Sequence, residues 1–498
     1  MSAGGGGGPL VPAGYRPRLA DAELDAALAA VGWVLLEGPR ACGKTWTALR
    51  RARSAARLDI DVPAHELGRV QPAMLLEGDR PRLIDEWQTV PEVWNHARHA
   101  VDASGRAGQF IFAGSASPAD DITRHTGAGQ LRRIRMRPMC LWESGHSTGE
   151  VSLSAMLDGA APTAPAAGDL AEVAAMVCRG GWPALVHMPV AEAQRMLRDY
   201  LGEAARTDVR RLDGSRHHRP AGVERLIRSL ARNTATEADY TTLMSDTEPD
   251  PMHRHTVREY LEALRRVFLV EEQPAWAGHL RSKAALRKSP KWHLADPSLA
   301  AAALHASPDR LVADPATLGN LVESLAVRDL RILSQRLEGR VTHLRDASGQ
   351  EADAVVEYGD GRMLLAEVKL GGGAATEEAG PQAQSDQQQH ARGQISGAGR
   401  AHRGRPRLQP RRRCGGGPHH RARPLTGSET IQGPRLEGTA TTTLGRRTRG
   451  QTPSRPLPPA GPTAAGYALT ASSSAGGIAH EDGRSCQSCW VRLALHGW

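Results

Sequence analysis

The chain has 498 residues, 40% hydrophobic and 23% charged, which is ordinary soluble material sufficient for two or three domains. No stretch approaches the roughly 18 to 20 apolar residues of a membrane helix, and MSAGGGGGPLVPAGYRPRL lacks an apolar core behind a basic start, so a cytoplasmic protein is expected. The net charge of +9 belongs to the tail: from Gly373 onward there are 17 Arg, no Lys and 7 Asp or Glu, whereas residues 1–372 carry 46 Lys or Arg against 47 Asp or Glu, which gives no support to a nucleic-acid face on the body.

Residues 1–20 are Gly/Pro-rich and read as a flexible terminus, and Asp21 to Ala30 as a short amphipathic helix. The apolar run GWVLLE (Gly32 to Glu37) predicts a strand entering a glycine loop, followed by a helix over Thr45 to Arg57. Two more strand-like runs, RPRLIDEWQ (Arg80 to Gln88) and QFIFAGSAS (Gln109 to Ser117), flank VWNHARHAVDA at helical spacing. Strands separated by helices imply a parallel α/β sheet over residues 21–158. After a loop rich in Ala, Pro and Gly (Gly159 to Gly168), residues 170–305 read as mainly helical. Within them Val223 to Arg232, TTLMSD and HTVREYLEALRRVFLVEEQPAW suggest helix, turn, helix and ribbon, compatible with a winged helix or a plain helical linker. LGNLVESLAVRDLRILSQRL then predicts a helix, and VTHLR, QEADAVVEY and GRMLLAEVKL three successive strands, within a small α/β unit at 306–372. The remaining 373–498 are low-complexity and expected to be disordered, because such a composition cannot bury enough surface to offset chain entropy.

The loop Gly38-Pro39-Arg40-Ala41-Cys42-Gly43-Lys44-Thr45 fits GxxxxGK[ST] between a predicted strand and helix, the context that gives this motif meaning. Its glycines let backbone N–H groups curl around the phosphates of ATP, with the helix N-terminus adding partial positive charge. Lys44 is one of only five lysines in a chain whose other cations are arginines. A compact three-donor ammonium suits the β and γ phosphates better than a planar guanidinium. Thr45 is expected to bind Mg²⁺ through its hydroxyl, Asp85 to hold Mg²⁺ through water, and Glu86 to polarise the attacking water. Ser115, ending FIFAGS, stands where a polar residue could sense the γ-phosphate, or is a strand-end turn residue. Arg124, Arg132, Arg133 and Arg135 cluster where one of them could act as an arginine finger on a neighbouring subunit of an oligomer.

The residues GPRACGKT, LIDEWQ, FAGSAS, HTGAG and RMRPM, with LRSKAALRKSPKWHLADPSLAAA and EADAVVEYGDGRMLLAEVKLG, give the chain a family resemblance. It resembles prokaryotic ATP-binding proteins that join a short AAA-type ATPase domain to a C-terminal domain of unknown function with a restriction-endonuclease-like end. The resemblance covers about Ala30 to Gly372 and implies an ATPase core, a helical or winged-helix middle and a nuclease-like C-terminal unit. Gln130 stands where that group usually carries Arg, so no finger is expected at that position.

Lys369 is another isolated lysine. Glu367 and Lys369 are two apart on one predicted strand and share a face, and Asp353 on the preceding strand can sit opposite them. This is the D-x(n)-ExK pattern, in which Asp and Glu hold Mg²⁺ and Lys orients a water against a phosphodiester; Glu323 on the preceding helix would be a further acidic member. The same residues also suit a cross-strand salt bridge. The text from about Glu378 changes character, as after a reading-frame shift in a GC-rich gene or in a natural arm contacting nucleic acid through arginines. The six cysteines are scattered and expected to be reduced thiols, and the single pair Cys486-x-x-Cys489 is weak evidence for zinc. The functional expectation is a Mg-dependent ATPase whose nucleotide cycle controls the attached module. The alternatives are an ATP-binding regulator without turnover and a metal-dependent nuclease acting on DNA.

Overall fold

Apolar runs bounded by turn residues decide the N-terminal architecture. In the computed structural model the described residues are 8, 10–117, 129–160, 169–209, 219–247, 252–277, 289–345 and 351–370, with strands at 468–470 and 488–495. They fall in one compact unit formed by Met1–Glu378 and Ala464–Trp498; the second unit, Ala379–Thr463, lies outside the described residues. The first elements are α1 (Ala20–Ala30), β1 (Trp33–Glu37), α2 (Lys44–Leu49), β2 (Ser54–Arg57), α3 (Val62–Val70), β3 (Arg82–Asp85), α4 (Val93–Ser104), β4 (Phe110–Gly114) and β5 (Leu131–Arg135).

The strands form a five-stranded parallel sheet in the order β2-β3-β4-β1-β5. Val34 and Leu36 of β1 pack on one face with Leu83, Ile111 and Ala113, while Trp33 and Leu35 pack on the other with Ile84, Phe110 and Phe112. Both faces are covered, which is why these strands read as unbroken apolar runs rather than alternating ones. The second face is aromatic, with Trp33 edge-on to Trp94 and Phe112 at centroid distances of 4.4 and 5.0 Å. Because β4 lies between β1 and β3, the C-terminal ends of all three open onto one crevice.

Two expectations need correction here, and one element has no counterpart among those expected from the sequence. The helix over Thr45 to Arg57 stops at Leu49, and Ser54–Arg57 form β2 instead. Ala and Arg favour helix, but pairing of Ala55 with Leu83 and Ala56 with Ile84 extends the sheet and outweighs that preference. The arginine cluster LRRIR is itself strand β5, paired with β1 and burying Ile134. Residues 10–18 are not a free terminus: Leu10 donates its N–H to the Ala52 carbonyl at 3.1 Å, Tyr15 bridges Asp21 and Thr47, and Arg18 is buried.

The chain continues through α5 (Leu153–Leu157), α6 (Leu170–Arg179), α7 (Val190–Glu203) with a π-turn at Ala204–Asp208, α8 (Pro220–Arg232), α9 (Tyr240–Ser245) and α10 (Arg254–Arg266). Then come β6 (Val270–Gln273), β7 (Lys291–Leu294), α11 (Pro297–Ala303), α12 (Pro308–Val312) and α13 (Pro315–Gln335). The two helices stand where expected as α8 and α10, but the stretch read as a turn, TTLMSD, forms the short helix α9, and the ribbon pairs β6 antiparallel with β7, whose residues lie well beyond Trp276. Val223, Leu226 and Leu230 of α8 and Val257, Leu261 and Leu264 of α10 share one core with Leu24 and Val34, so the helical region closes the first face of the sheet. Among the described residues no helix is long and apolar enough to cross a membrane.

Finally β8 (Arg340–Arg345), β9 (Glu351–Glu357) and β10 (Met363–Leu370) form an antiparallel meander against α13, whose Val327 and Leu330 pack on Val341, Ala354, Val356 and Leu364. The tail 373–498 is not wholly without structure: β11 (Ala468–Thr470) and β12 (Ser488–Leu495) complete a sheet in the order β11-β12-β10-β9-β8, with β12 parallel to β10. The sequence SCWVRLAL is a short, mostly apolar run, and the otherwise unpaired edge of β10 gives such a segment a ladder to join. The rest of that tail, Cys486 included, lies outside the described residues.

Candidate nucleotide site

The loop between β1 and α2 turns on two glycines. Gly43 has φ +108°, which favours glycine, and a Cβ on Gly38 would lie 2.1 Å from the Met136 carbonyl oxygen just past β5. The loop is also pinned from behind. Arg18 donates to the carbonyls of Cys42 (2.7 Å) and Arg137 (2.8 Å) and pairs with buried Glu143 at 3.1 Å. Cys42 is fully buried, as are the thiols of Cys140 and Cys178. Nothing in an arginine-rich sequence distinguishes Arg18 beforehand.

Lys44 is 5% exposed, and its ammonium donates to the carbonyls of Gly38 (3.0 Å) and Pro39 (2.8 Å), which fixes the charge inside the loop with a third N–H to spare. Thr45 donates its hydroxyl to Asp85 Oδ1 at 3.1 Å, so the loop and the end of β3 meet as expected. Burial, helped by the neighbouring Glu86 carboxylate, pushes the Asp85 carboxyl up to about 6. Glu86 has φ +53° and leads into a turn at Trp87–Thr89; its Oε2 accepts from Ser115 Oγ at 3.1 Å and from Gln88 Nε2. Glu86 and Ser115 therefore converge as the strand order requires, and Gln88 is a partner that the sequence did not reveal.

A glycine loop, a buried ammonium with a spare donor and a hydroxyl on a carboxylate fit a magnesium-bound nucleoside triphosphate. Loop N–H groups and Lys44 suit the phosphates, while Thr45 and, through water, Asp85 suit Mg²⁺, an ion that keeps much of its hydration shell. On the loop's outer side Arg40 pairs with Asp208 at 3.3 Å and its carbonyl accepts from the Tyr200 hydroxyl at 3.4 Å, which ties the loop to α7 and the π-turn.

The arginine-finger candidates have partners in their own chain. Arg132 pairs with Glu338 at 2.8 Å, Arg133 with Glu37 at 3.1 Å, and Arg135 with Glu271 at 3.7 Å; Arg124 lies outside the described residues. Gln130 donates to Asp102. Glu271 of β6 also takes a bidentate pair from Arg137 and a contact from Arg331 of α13 at 3.2 Å. Burial alone would raise its carboxyl, but Arg137, Arg331 and Arg135 outweigh this and hold it well below the carboxylate range.

Two of the four nuclease-like residues, Glu323 and Asp353, meet at a cation that the sequence did not single out, while Glu367 and Lys369 pair with each other. Lys291 of β7, 7% exposed, pairs with Glu323 of α13 at 2.7 Å and with Asp353 of β9 at 3.8 Å. Asp353 Oδ2 accepts the Val368 N–H at 2.7 Å, and Lys369 pairs with Glu367 at 3.0 Å. Burial pushes Glu323 up to about 7 and raises Asp353, Lys291 opposing the shift in both. The rarity of lysine that singled out Lys44 was equally available as a signal for Lys291. Among the described residues no three His, Cys, Asp or Glu side chains form a metal-ligating group.

Residues 31–144 match the family model described as AAA domain, and residues 170–310 match one described as a domain of unknown function (DUF8612). No curated protein matches the sequence. Solved structures similar to this one include a Walker-type ATPase of Pyrococcus abyssi, 13% identical with a TM-score of 0.36, covering 59% of this chain and 99% of that one. AMPPCP-bound DnaA from Aquifex aeolicus is 12% identical with a TM-score of 0.22, covering 50% of this chain and 86% of that one. The Aeropyrum pernix Orc1 protein in complex with DNA is 13% identical with a TM-score of 0.24, covering 61% and 96%. The family match and the loop together make the N-terminal sheet an AAA-type ATP-binding domain.

Proposed function

We propose that the protein is a cytoplasmic Mg-dependent ATPase whose nucleotide cycle moves the helical, ribbon and C-terminal units attached to its sheet. The observation that carries this reading is the contact between Thr45 and Asp85 at the mouth of the glycine loop, with Glu86 and Ser115 just beyond. Loop N–H groups and Lys44 hold the phosphates, and Glu86 accepts a proton from the water that attacks the γ-phosphorus. Mg²⁺ at Thr45 and Asp85 supplies charge neutralisation on the β and γ oxygens. Coupling to the attached units is supported by two junctions: Arg40 with Asp208 on the loop, and Glu271, which gathers Arg135 and Arg137 from the sheet side with Arg331 of α13. Phosphate release from ATP is the test. Release is expected in Mg²⁺ and not in EDTA. It should also fall about tenfold per pH unit below pH 6, because Asp85 is protonated there and metal binding must displace that proton. Nucleotide binding without phosphate release would leave the regulator without turnover as the correct reading.

A second reading, a metal-dependent nuclease acting on DNA, draws support from the grouping of Glu323 and Asp353, with Glu367 opposite Asp353 by continuation of the β9–β10 register. Against it, the Lys291 ammonium already stands between two of those carboxylates. Divalent-metal-dependent nicking of plasmid DNA that disappears in Lys369→Ala would establish it, and intact plasmid with every metal would remove it.

A further inference from the structure

Arg57 ends β2 at the open edge of the parallel sheet, in register with Asp85. Its Nε lies 3.9 Å from Asp85 Oδ2, inside ionic range but beyond hydrogen-bond reach. That Nε is buried and has no hydrogen-bond partner, while the side chain as a whole is 42% exposed, so part of it meets solvent beside the Asp85 carboxylate. Its neighbours around the site are differently engaged: Arg18 on Glu143, Arg40 on Asp208, and Arg132, Arg133, Arg135 and Arg137 on Glu338, Glu37 and Glu271. A buried donor lacking an acceptor is costly, and an oxygen of a phosphate bound nearby would give it a partner.

We propose that Arg57 is a catalytic residue of the ATPase, binding the γ-phosphate of ATP from within the same chain; this rests on the ATPase reading above. The sheet order puts the ends of β1, β3 and β4 on the crevice, and β2 ends beside β3, so the Asp85 carboxylate has Thr45 on Oδ1 and Arg57 nearest Oδ2, and a γ-phosphate beside Thr45 would come within reach of the guanidinium. A planar guanidinium donates two parallel hydrogen bonds to phosphate oxygens, which one ammonium cannot do. In hydrolysis the water oxygen bonds to the γ-phosphorus while the bond from that phosphorus to the bridging oxygen breaks, its electron pair going to ADP. The water proton passes to Glu86 and then to the released phosphate. Arg57 neither gains nor loses a proton; it neutralises the charge that grows on the γ oxygens in the transition state. A cation supplied from β2 removes the need for a finger from a second subunit.

The test compares wild type, Arg57→Ala and Arg57→Lys for binding of a fluorescent ATP analogue, single-turnover phosphate release and release per chain across a hundredfold range of protein concentration. Arg57→Ala is expected to bind within about threefold of wild type yet release phosphate on the order of 10³-fold more slowly, with Arg57→Lys in between. Wild-type release per chain should not change on dilution. Equal release by wild type and Arg57→Ala, loss of binding in parallel with rate, or wild-type release per chain that falls on dilution overturns the role of Arg57 alone. If wild type binds nucleotide and releases no phosphate, the ATPase reading fails first and this role falls with it. Matching thermal unfolding of the variants shows that a lost rate is not a lost fold, and recovery in Arg57→Lys makes the same point independently.

Discussion

Lys44→Ala is expected to weaken ATP binding by about 10- to 150-fold and to abolish hydrolysis at moderate nucleotide concentration. The magnitude follows from the chemistry of the side chain. A hydrogen bond to a charged group contributes about 1.5 to 3 kcal/mol, and the ammonium here is buried among loop carbonyls, where solvent screens it poorly. The truncation removes the cation that meets the β and γ phosphates and also strips the Gly38 and Pro39 carbonyls of their donor, so the cradle loses both its charge and part of its shape. Lys44→Arg should not restore binding, because a planar guanidinium is bulkier than the ammonium held between the Gly38 and Pro39 carbonyls. Titration of a fluorescent adenine nucleotide at fixed Mg²⁺ measures the effect. An affinity that survives the loss of Lys44 would mean that adenine nucleotides bind elsewhere, and the assignment of the loop would be withdrawn.

What could be read from the sequence depended on how local the physics was. The glycine loop was legible because its conformation, donors and charge lie within eight residues, and a strand and a helix flank it as the motif requires. Asp85, Glu86 and Ser115 were legible because they end apolar strands, and strand ends of a parallel sheet gather on one side. β2 was not. SAAR carries no strand signal of its own and becomes a strand only because β3 offers it an edge, so Arg57, the residue that sits level with Asp85, could not be placed. Arg18 and Glu271 were hidden for a related reason, since their partners lie 125 and 134 residues away along the chain. Lys291 differs from these. Its rarity was visible, but its position between Glu323 and Asp353 depends on how β7, α13 and β9 pack, which no spacing within the sequence encodes.

Glu86→Gln is expected to leave ATP binding close to wild type and to lower phosphate release by about 10²- to 10⁴-fold, the usual contribution of a general base. Glutamine matches the size of glutamate and can still accept from Ser115 Oγ, now 3.1 Å from Glu86 Oε2, so the turn at Trp87–Thr89 should hold its shape. What disappears is the capacity to take a proton. This makes the variant a sharper probe than Lys44→Ala, which disturbs binding and chemistry together. It also distinguishes Glu86 from Asp85: an Asp85→Asn change acts on the residue that Thr45 contacts and should raise the Mg²⁺ requirement, whereas Glu86→Gln should leave that requirement unchanged. Single-turnover phosphate release over a Mg²⁺ titration separates the two. A Glu86→Gln protein that turns over at the wild-type rate would assign the proton to another group. Ser115 and Gln88 both donate toward Glu86 in this structure, which orients its carboxylate without neutralising it. Once Asp85 is committed to Thr45 and the metal, Glu86 is the carboxylate that Ser115 and Gln88 hold in place for proton transfer.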